Sequence, residues 1–370
     1  MDWVQELRQN LTTVEELEEN LKLSLTETER ENLREIMDIY PMSVTRFYLS
    51  LIDHEDEKDP IRRMCIPSVL ETDRSGSLDT SGESDNTVIT GLQHKYRQTA
   101  LVLSTNQCAM YCRHCFRKRL VGLSSEEIMK HMEEIISYLK THQEISNVLI
   151  SGGDSFLNSN AAIRRYLEEL YKIDHLDFIR FGTRVPVTFP MRIYKDRELL
   201  DILTEYNKKK RIYIITHYNH PNEMTEESRL AIRALINCGL GIKNQTVLLK
   251  GVNDDPEVLA DLFNKMTRWG IIPYYIFQCR PVAGIKNQFQ LPLKKGIRIV
   301  EEAKAGLNGQ GKCFRYVLSN RTGKIEILGM LKDNTMLFKY HESKEEINQG
   351  RIFTRQIDNN QCWIDGIIQE

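Results

Sequence analysis

The sequence predicts an α/β fold in which six β/α units in series form a parallel barrel, complete or partial. Two observations predict it. Short runs rich in β-branched and aromatic residues recur from Gln98 onward, as in strands buried in a parallel sheet. Amphipathic segments of helix length alternate with them. A doubly wound open sheet is the alternative. The predicted strands are Ala100–Ser104, Asn147–Ser151, Phe178–Thr183, Ile212–His217, Gly241–Leu249 and Pro273–Gln278. The clearest helices are Ser125–Thr141, Glu223–Asn237, Pro256–Trp269 and Lys294–Ala305.

Composition excludes several classes of protein. The 370 residues suffice for one large domain or two small ones. Lys and Arg number 50 against 52 Asp and Glu, and this balance gives no broad basic surface for nucleic acid or membranes. No apolar run is long enough to span a bilayer, and the N-terminus lacks the apolar stretch of a signal peptide. We therefore expect a cytoplasmic protein whose eight cysteines are reduced thiols or metal ligands.

Residues 1–70 are predicted to form a helical N-terminal layer. Apolar residues recur there at intervals of three and four, as in Val14, Leu17 and Leu21, which is typical of amphipathic helices. Thr26 and Glu29 have the spacing of a capping box, so a helix should begin between them.

Two segments flank the predicted barrel, which occupies residues 98–310. Residues 71–97 begin with a stretch rich in Ser, Asp and Gly, and we interpret them as a polar surface loop that links the helical layer to the barrel. Residues 311–370 form a short extension rich in β-structure. Its predicted strands are Cys313–Ser319, Lys324–Leu328, Met336–Tyr340 and Ile352–Gln356.

Three cysteines follow the first predicted strand. Cys108, Cys112 and Cys115 have the spacing C-x3-C-x2-C, and a loop this short should direct them at one centre. Structural zinc takes four protein ligands, and a fourth is not nearby in sequence, although His217 and His220 could complete such a site. A four-iron cluster bound by three thiolates would leave one iron open to a small ligand. Buried structural cysteines are the remaining alternative.

The string CAMYCRHCFRKR resembles the radical S-adenosylmethionine (SAM) superfamily and, within it, the lysine 2,3-aminomutase family. The resemblance implies a partial barrel of six β/α units. It also implies a 4Fe-4S cluster on the three cysteines, with SAM chelating the open iron. One electron, from a donor such as flavodoxin or ferredoxin, would cleave SAM to a 5′-deoxyadenosyl radical.

The resemblance also implies a set of SAM contacts. His114 would lie beside the adenine, and His217 near SAM. Gly152, Gly153 and Asp154, at the end of the second strand, match the element that holds the SAM amino group. Gln245, on the fifth strand, would lie on the side of the ribose and carboxylate.

A second cofactor, pyridoxal phosphate (PLP), is implied as well. Lys324 follows Thr322-Gly323 where the family has the lysine that binds PLP covalently, and Tyr96 matches the tyrosine that packs on PLP. Thr99 stands where the family has an arginine that binds the phosphate. Lys95 and Arg97 are candidates to replace it.

The substrate pocket departs from the lysine enzymes. Arg117 matches the arginine that binds the substrate carboxylate. The two aspartates that bind the lysine ammonium are missing, because Arg280 replaces one and the region of Ser319 and Asn320 replaces the other. An arginine would repel an ammonium group and attract a carboxylate. This inversion resembles glutamate 2,3-aminomutases.

We therefore predict an isomerase that converts L-glutamate to β-glutamate. Lysine 2,3-aminomutase, or a related amino acid mutase, is the second hypothesis. A non-catalytic zinc-binding scaffold is the third. We expect a small amino acid as the partner, no nucleic acid or membrane, and a homo-oligomer.

Overall fold

The computed structural model describes residues 3–123 and 126–365. Ser125, at which the predicted helix Ser125–Thr141 begins, lies outside these residues, as do the first two and the last five residues of the predicted terminal segments. No helix in the described ranges is long and apolar enough to cross a membrane.

Five short helices form the N-terminal layer. The predicted capping box is confirmed, because the Thr26 hydroxyl accepts a hydrogen bond from the N–H of Glu29 and the Glu29 carboxylate accepts one from the N–H of Thr26 (2.7 Å). These helices bury their apolar faces against the rest of the chain. They are α1 (Trp3–Leu7), α2 (Val14–Leu21), α3 (Glu27–Ile39), α4 (Arg46–Leu49) and α5 (Pro60–Cys65).

The described strands form a single twelve-stranded sheet whose spatial order follows the chain order. A doubly wound sheet reverses its strand order at a switch point, whereas this sheet keeps the chain order throughout. The strand order therefore favours the predicted barrel, and the doubly wound alternative is wrong. The two outermost strands do not pair with each other, and the barrel is therefore open. The strands are β1 (Thr87–Ile89), β2 (Leu92–Tyr96), β3 (Thr99–Thr105), β4 (Asn147–Gly152), β5 (Phe178–Gly182), β6 (Arg211–Thr216), β7 (Gly241–Leu248), β8 (Ile272–Gln278), β9 (Arg315–Ser319), β10 (Gly323–Met330), β11 (Thr335–Ser343) and β12 (Ile352–Gln356).

The six predicted barrel strands are β3 to β8, which pair in parallel. β9 adds a seventh parallel strand beside β8, a pairing that the sequence did not predict. β10 to β12 continue the sheet antiparallel, and β1 and β2 precede it antiparallel. The carboxyl ends of β3 to β9 therefore meet at one edge, where the catalytic groups of such barrels lie.

Helices follow the parallel strands and cover the outer face of the sheet. The helix predicted to begin at Ser125 begins at Met132 in the structure. The others start and end within about three residues of the predicted positions. The remaining helices are α6 (Met132–Thr141), α7 (Asn160–Leu170), α8 (Val185–Thr188), α9 (Met191–Tyr194), α10 (Arg197–Lys209), α11 (Glu226–Asn237), α12 (Pro256–Arg268), α13 (Lys286–Phe289) and α14 (Leu293–Ala305).

The polar segment before the barrel is not a plain surface loop. Glu71 and Glu83 are 1% and 6% exposed, and both are paired with cations of the cysteine loop. Burial of a carboxylate requires such partners. The segment therefore contributes to the site, contrary to the interpretation as a linker.

Candidate active site

The loop that carries the three cysteines leaves β3 and rests on the N-terminal layer. The N–H of Tyr111 donates to the carbonyl of Ser43, and the N–H of Arg113 donates to the carbonyl of Met64, both at 2.9 Å. Two buried cations of the loop, Arg113 and Lys118, also pair with Glu71. The loop is therefore fixed by the N-terminal layer and by the polar segment together.

The three thiols lie close enough to influence one another. Burial, followed by Asp154 and the other two cysteines, raises the pKa of Cys108 well above its usual value. Burial and the neighbouring Cys112 raise the pKa of Cys115 to about 11. A metal centre favours the thiolate form of such groups. Within residues 3–123 and 126–365, no three His, Cys, Asp or Glu side chains are placed to hold a single metal ion.

The two glycines at the end of β4 pack against the cysteine loop. Gly152 has φ of +118°, and a Cβ on it would collide with the carbonyl of Thr105. A Cβ on Gly153 would collide with the backbone of Gln107, and the N–H of Gly153 donates to Thr105 (2.6 Å). These glycines therefore set the position of the loop, in addition to any contact with a ligand.

Asp154 is buried and holds the start of the segment after β5. One carboxylate oxygen accepts from the hydroxyl of Thr183 (2.6 Å) and from the N–H of Phe156 (3.0 Å). The other accepts from the N–H of Arg184 (2.6 Å). Burial raises the pKa of Asp154 against these hydrogen bonds. Its side chain therefore fixes Arg184 in the site.

Arg184 is a residue of the site that the sequence analysis missed. Its guanidinium donates to the thiol sulfur of Cys112 (2.6 Å), to the carbonyl of His217 (3.1 Å) and to the hydroxyl of Tyr48 (3.2 Å), and it pairs with the buried Glu223. One side chain thus connects a cysteine, the β6 loop and α4. The only local signal was an arginine directly after a predicted buried strand.

Two predicted histidines lie together beside the cysteines. The rings of His114 and His217 meet edge to face, with centroids 5.5 Å apart. Nδ1 of His114 and Nε2 of His217 are buried and have no hydrogen-bond partner among the described residues. Burial, followed by Arg184, lowers the pKa of His217 to about 3, so the ring is neutral. His220 does not join them, because its ring accepts from the N–H of Asn222 in a capping arrangement.

Gln245 and its neighbour on β7 face opposite ways. Asn244 is buried and bonds the backbone of Tyr218 and the hydroxyl of Thr246. Gln245 is half-buried and makes no hydrogen bond to the described residues, so its amide is open to the interior of the barrel.

Lys324 lies on β10 between two aromatic rings. Its ammonium is 4.6 Å from the ring centre of Tyr96 and 5.5 Å from that of Tyr275. It pairs with Glu342, which is opposite it on β11. The hydroxyl of Tyr275 is hydrogen-bonded to Nε2 of His341 (2.7 Å). The predicted PLP lysine and tyrosine are thus neighbours.

Asn320 builds the turn that precedes Lys324. Its side-chain oxygen accepts from the N–H groups of Thr322 and Gly323, both at 3.1 Å. Gly323 has φ of +154°, and a Cβ there would collide with the carbonyl of Glu342. The side-chain oxygen of Asn320 is therefore engaged in the turn, and we propose a structural role for it in place of the predicted contact with substrate.

Arg117 and Arg280 converge on one aromatic ring. The guanidinium carbons lie 4.8 Å and 4.2 Å from the ring centre of Phe116. Nη2 of Arg280 donates to the hydroxyl of Ser319 (3.0 Å), whereas its buried Nη1 has no partner among the described residues. Arg117 donates to the hydroxyl of Ser151 (3.1 Å), so both guanidinium groups are oriented by serine hydroxyls.

Glu83 is the second site residue that the sequence analysis missed. Its carboxylate accepts from Nε of Arg117 (2.9 Å) and from Arg119 (3.1 Å). Burial raises the pKa of Glu83, but the charges of Arg117, Arg280 and Arg119 outweigh burial and hold the pKa below its usual value. One carboxylate therefore partly offsets three arginines.

The two candidates for binding the PLP phosphate are placed differently. Arg97 is at the surface, 67% exposed, in an ion pair with Glu346 (3.4 Å). Lys95 donates to the carbonyls of Ser81 (3.1 Å) and Asn320. Burial, followed by the charges of Arg280 and Lys324, lowers the pKa of Lys95 to about 7.

The barrel and the three-cysteine loop at its edge define a radical SAM enzyme. The family model described as the Radical SAM superfamily matches residues 102–263, which run from β3 into α12. The L-lysine 2,3-aminomutase of Acetoanaerobium sticklandii is 39% identical over 83% of this chain and 73% of its own. That of Clostridium subterminale is 37% identical over the same shares. The glutamate 2,3-aminomutase of Clostridioides difficile is 36% identical over 78% of this chain and 67% of its own.

The chain belongs to the lysine 2,3-aminomutase family of radical SAM enzymes. It is an isomerase, as 2,3-aminomutases are, and the zinc scaffold was the wrong alternative. Its family implies a 4Fe-4S cluster and SAM, and the lysine 2,3-aminomutases also depend on PLP.

Proposed function

We propose that this enzyme is a PLP-dependent aminomutase that moves the α-amino group of L-glutamate to the β-carbon. The observation that carries the choice of substrate is the pair of guanidinium groups on Phe116, one of which has a buried donor without a partner. Two fixed cations beside one ring suit a substrate with two carboxylates.

The residues near the cysteine loop suit the cluster and SAM. Cys108, Cys112 and Cys115 would hold the cluster. The unpartnered ring nitrogens of His114 and His217 are buried polar atoms that a bound SAM could satisfy. Gly152, Gly153, Asp154 and Gln245 complete the proposed SAM contacts.

The residues around Lys324 suit PLP. Tyr96 and Tyr275 offer flat apolar faces beside the amine, and Lys324 would bind the cofactor covalently. When bound, PLP supplies a conjugated ring that stabilises an unpaired electron next to the migrating nitrogen, and SAM with the cluster supplies the radical that removes hydrogen from Cβ.

The protein's own groups position the substrate and hold protons. Arg117 and Arg280 each bind one carboxylate and so fix the carbon chain between them. Glu342 pairs with Nζ of Lys324, so it would hold that side chain in place beside the cofactor when the two are not covalently joined. Phe116 and Tyr96 cover apolar surface of the pocket and exclude water from it.

The charge of Arg280 supports glutamate over lysine as the proposed substrate. Two like charges 4 Å apart repel by about 4 kcal/mol at an effective dielectric constant of about 20. Burial already disfavours the charged form of Arg280 and lowers its pKa. An ammonium group beside it would add to that cost, whereas a carboxylate would offset it. A lysine 2,3-aminomutase remains the second candidate because the family includes such enzymes.

The test is an anaerobic assay of the reduced, iron-reconstituted protein with SAM and PLP. L-Glutamate and L-lysine are supplied together, and both β-amino acids are sought by NMR. We expect β-glutamate alone. β-Lysine alone would retain the mechanism and refute the substrate, and neither product would refute both. An electron donor such as flavodoxin or ferredoxin, and assembly as a homo-oligomer, are parts of the same proposal.

A further inference from the structure

Arg180, in the middle of β5, is a cation inside the barrel that forms no ion pair with any described residue. Its neighbours Ile179 and Phe181 are buried towards the helices, so the alternation of side chains turns Arg180 to the interior. Among the described residues its guanidinium makes one hydrogen bond, from Nη2 to the side-chain oxygen of Asn147 (2.5 Å), and no ion pair. Its Nε is fully buried and has no partner.

A buried guanidinium without a carboxylate is costly, because removal from water is not offset by an opposite charge. Burial lowers the pKa of Arg180, and Tyr274, Glu342 and Tyr275 oppose this effect. Glu342 is close enough to act on Arg180, but its carboxylate is paired with Lys324. An anion bound in the barrel would supply the missing partner.

The groups around Arg180 suit a phosphate. The side chain of Asn147 joins Arg180 to Thr99, since its Nδ2 lies 3.2 Å from the Thr99 hydroxyl. Thr99 is half-buried and in register with Asn147 on the neighbouring strand, so the guanidinium of Arg180 and the hydroxyl of Thr99 both contact the amide of Asn147. Arginine binds phosphate through two donors at once, and a threonine hydroxyl adds a third.

The alternatives named from the sequence are placed less well. Arg97 is exposed and paired with Glu346. Lys95 donates hydrogen bonds to the backbone carbonyls of Ser81 and Asn320. Nε of Arg180 has no hydrogen-bond partner among the described residues. Arg180 is also close enough to Glu342, the partner of Lys324, to lower the pKa of that carboxylate.

We infer that Arg180, with the hydroxyl of Thr99, holds the phosphate of PLP in this enzyme. The inference rests on the proposed function. In this chain the guanidinium for the phosphate would come from Arg180 on β5, because position 99 is a threonine.

The experiment compares PLP with pyridoxal, which has the same aldehyde and no phosphate. Full-length, iron-reconstituted protein freed of PLP is equilibrated with each compound under anaerobic conditions and reduced with borohydride. Mass spectrometry then gives the fraction of chain that carries the reduced adduct on Lys324. Arg180→Leu should weaken PLP about tenfold or more and leave pyridoxal unchanged, because one charge-assisted contact is lost. The matched control, Arg97→Leu, should change neither.

A loss shared equally by PLP and pyridoxal would show a structural role and overturn the inference, as would an unchanged affinity for PLP. Arg180→Lys keeps the charge and loses the paired donors, so it should retain part of the preference for PLP. The Arg180→Lys variant also provides the test if Arg180→Leu does not fold. Wild-type protein that binds neither compound would refute PLP dependence itself, whereas tight PLP binding in both Arg180 variants would refute only the phosphate assignment.

Discussion

The guanidinium groups of Arg117 and Arg280 contact the same ring, that of Phe116, although the two arginines are supplied by different parts of the chain. Arg117 belongs to the cysteine loop, and Arg280 follows β8. The ring thus sets an upper limit on the separation of the two cations. This limit restricts the length of a dicarboxylate that can bridge them.

Replacement of Arg280 by Gln should lower kcat/KM for L-glutamate roughly 30-fold or more, since a charge-assisted hydrogen bond to a carboxylate contributes about 2 kcal/mol. The measurement is the initial rate of β-glutamate formation at several substrate concentrations. Arg298→Gln, at an exposed arginine of α14, is the control and should be silent. Unchanged turnover of glutamate by Arg280→Gln would remove the argument for that substrate.

Glu83→Gln should destabilise the protein by about 3 kcal/mol, because loss of the buried carboxylate leaves the buried Arg117 without its acidic partner and Arg119 with Glu127 alone. Denaturant unfolding measures this change. The comparison is Glu346→Gln, whose surface pair with Arg97 should contribute less than about 1 kcal/mol.

Glu83→Gln should also change how the free energy of unfolding depends on pH. The folded pKa of Glu83 is below its usual value of 4.5, so its stabilising effect is complete above that value and is lost as the pH falls through the folded pKa. The wild-type free energy of unfolding should therefore fall more steeply below pH 4.5 than that of Glu83→Gln. Parallel curves would contradict the ion pair.

Lys324→Ala should abolish the borohydride-trapped adduct with PLP while the iron content stays constant. Lys332→Ala, at an exposed lysine, is the control and should trap PLP normally. An adduct that persists in Lys324→Ala would show that a different lysine binds the cofactor.

Arg184→Lys should lower the reduction potential of the cluster by about 60 mV, the one-electron equivalent of one lost hydrogen bond to Cys112, which we propose as a cluster ligand. Lysine cannot reproduce the bonds to Cys112, Tyr48 and Glu223 simultaneously. Spectroscopic redox titration measures the shift. Arg192→Lys changes another buried arginine, paired with Asp196, and should leave the potential unchanged.

The sequence predicted the elements that depend on local patterns. Buried strands need β-branched residues, and the capping box of Thr26 needs Glu29 three residues later, so both could be identified without a structure. The parallel pairing of β9 with β8 could not, because a strand's partner depends on the whole sheet.

The missed residues of the site are those whose partners are remote in sequence. Glu83 appeared in a polar stretch typical of a linker, and its partners begin 34 residues later. Arg184 lies 72 residues from Cys112 and 136 from Tyr48. Composition reports that a residue is polar, but burial beside a distant charge decides what that residue does.

The cysteine loop donates backbone hydrogen bonds to the carbonyls of Ser43 and Met64, which are synthesised before it. On a growing chain, the surface that the loop packs on therefore emerges first, and Cys115, the third cysteine of the loop, follows Met64 by only about fifty residues. A shortened chain that began at β3 would keep the three cysteines of the loop and lose this surface. The N-terminal layer therefore supports the loop that would bind the cluster, although the layer itself supplies none of the three cysteines.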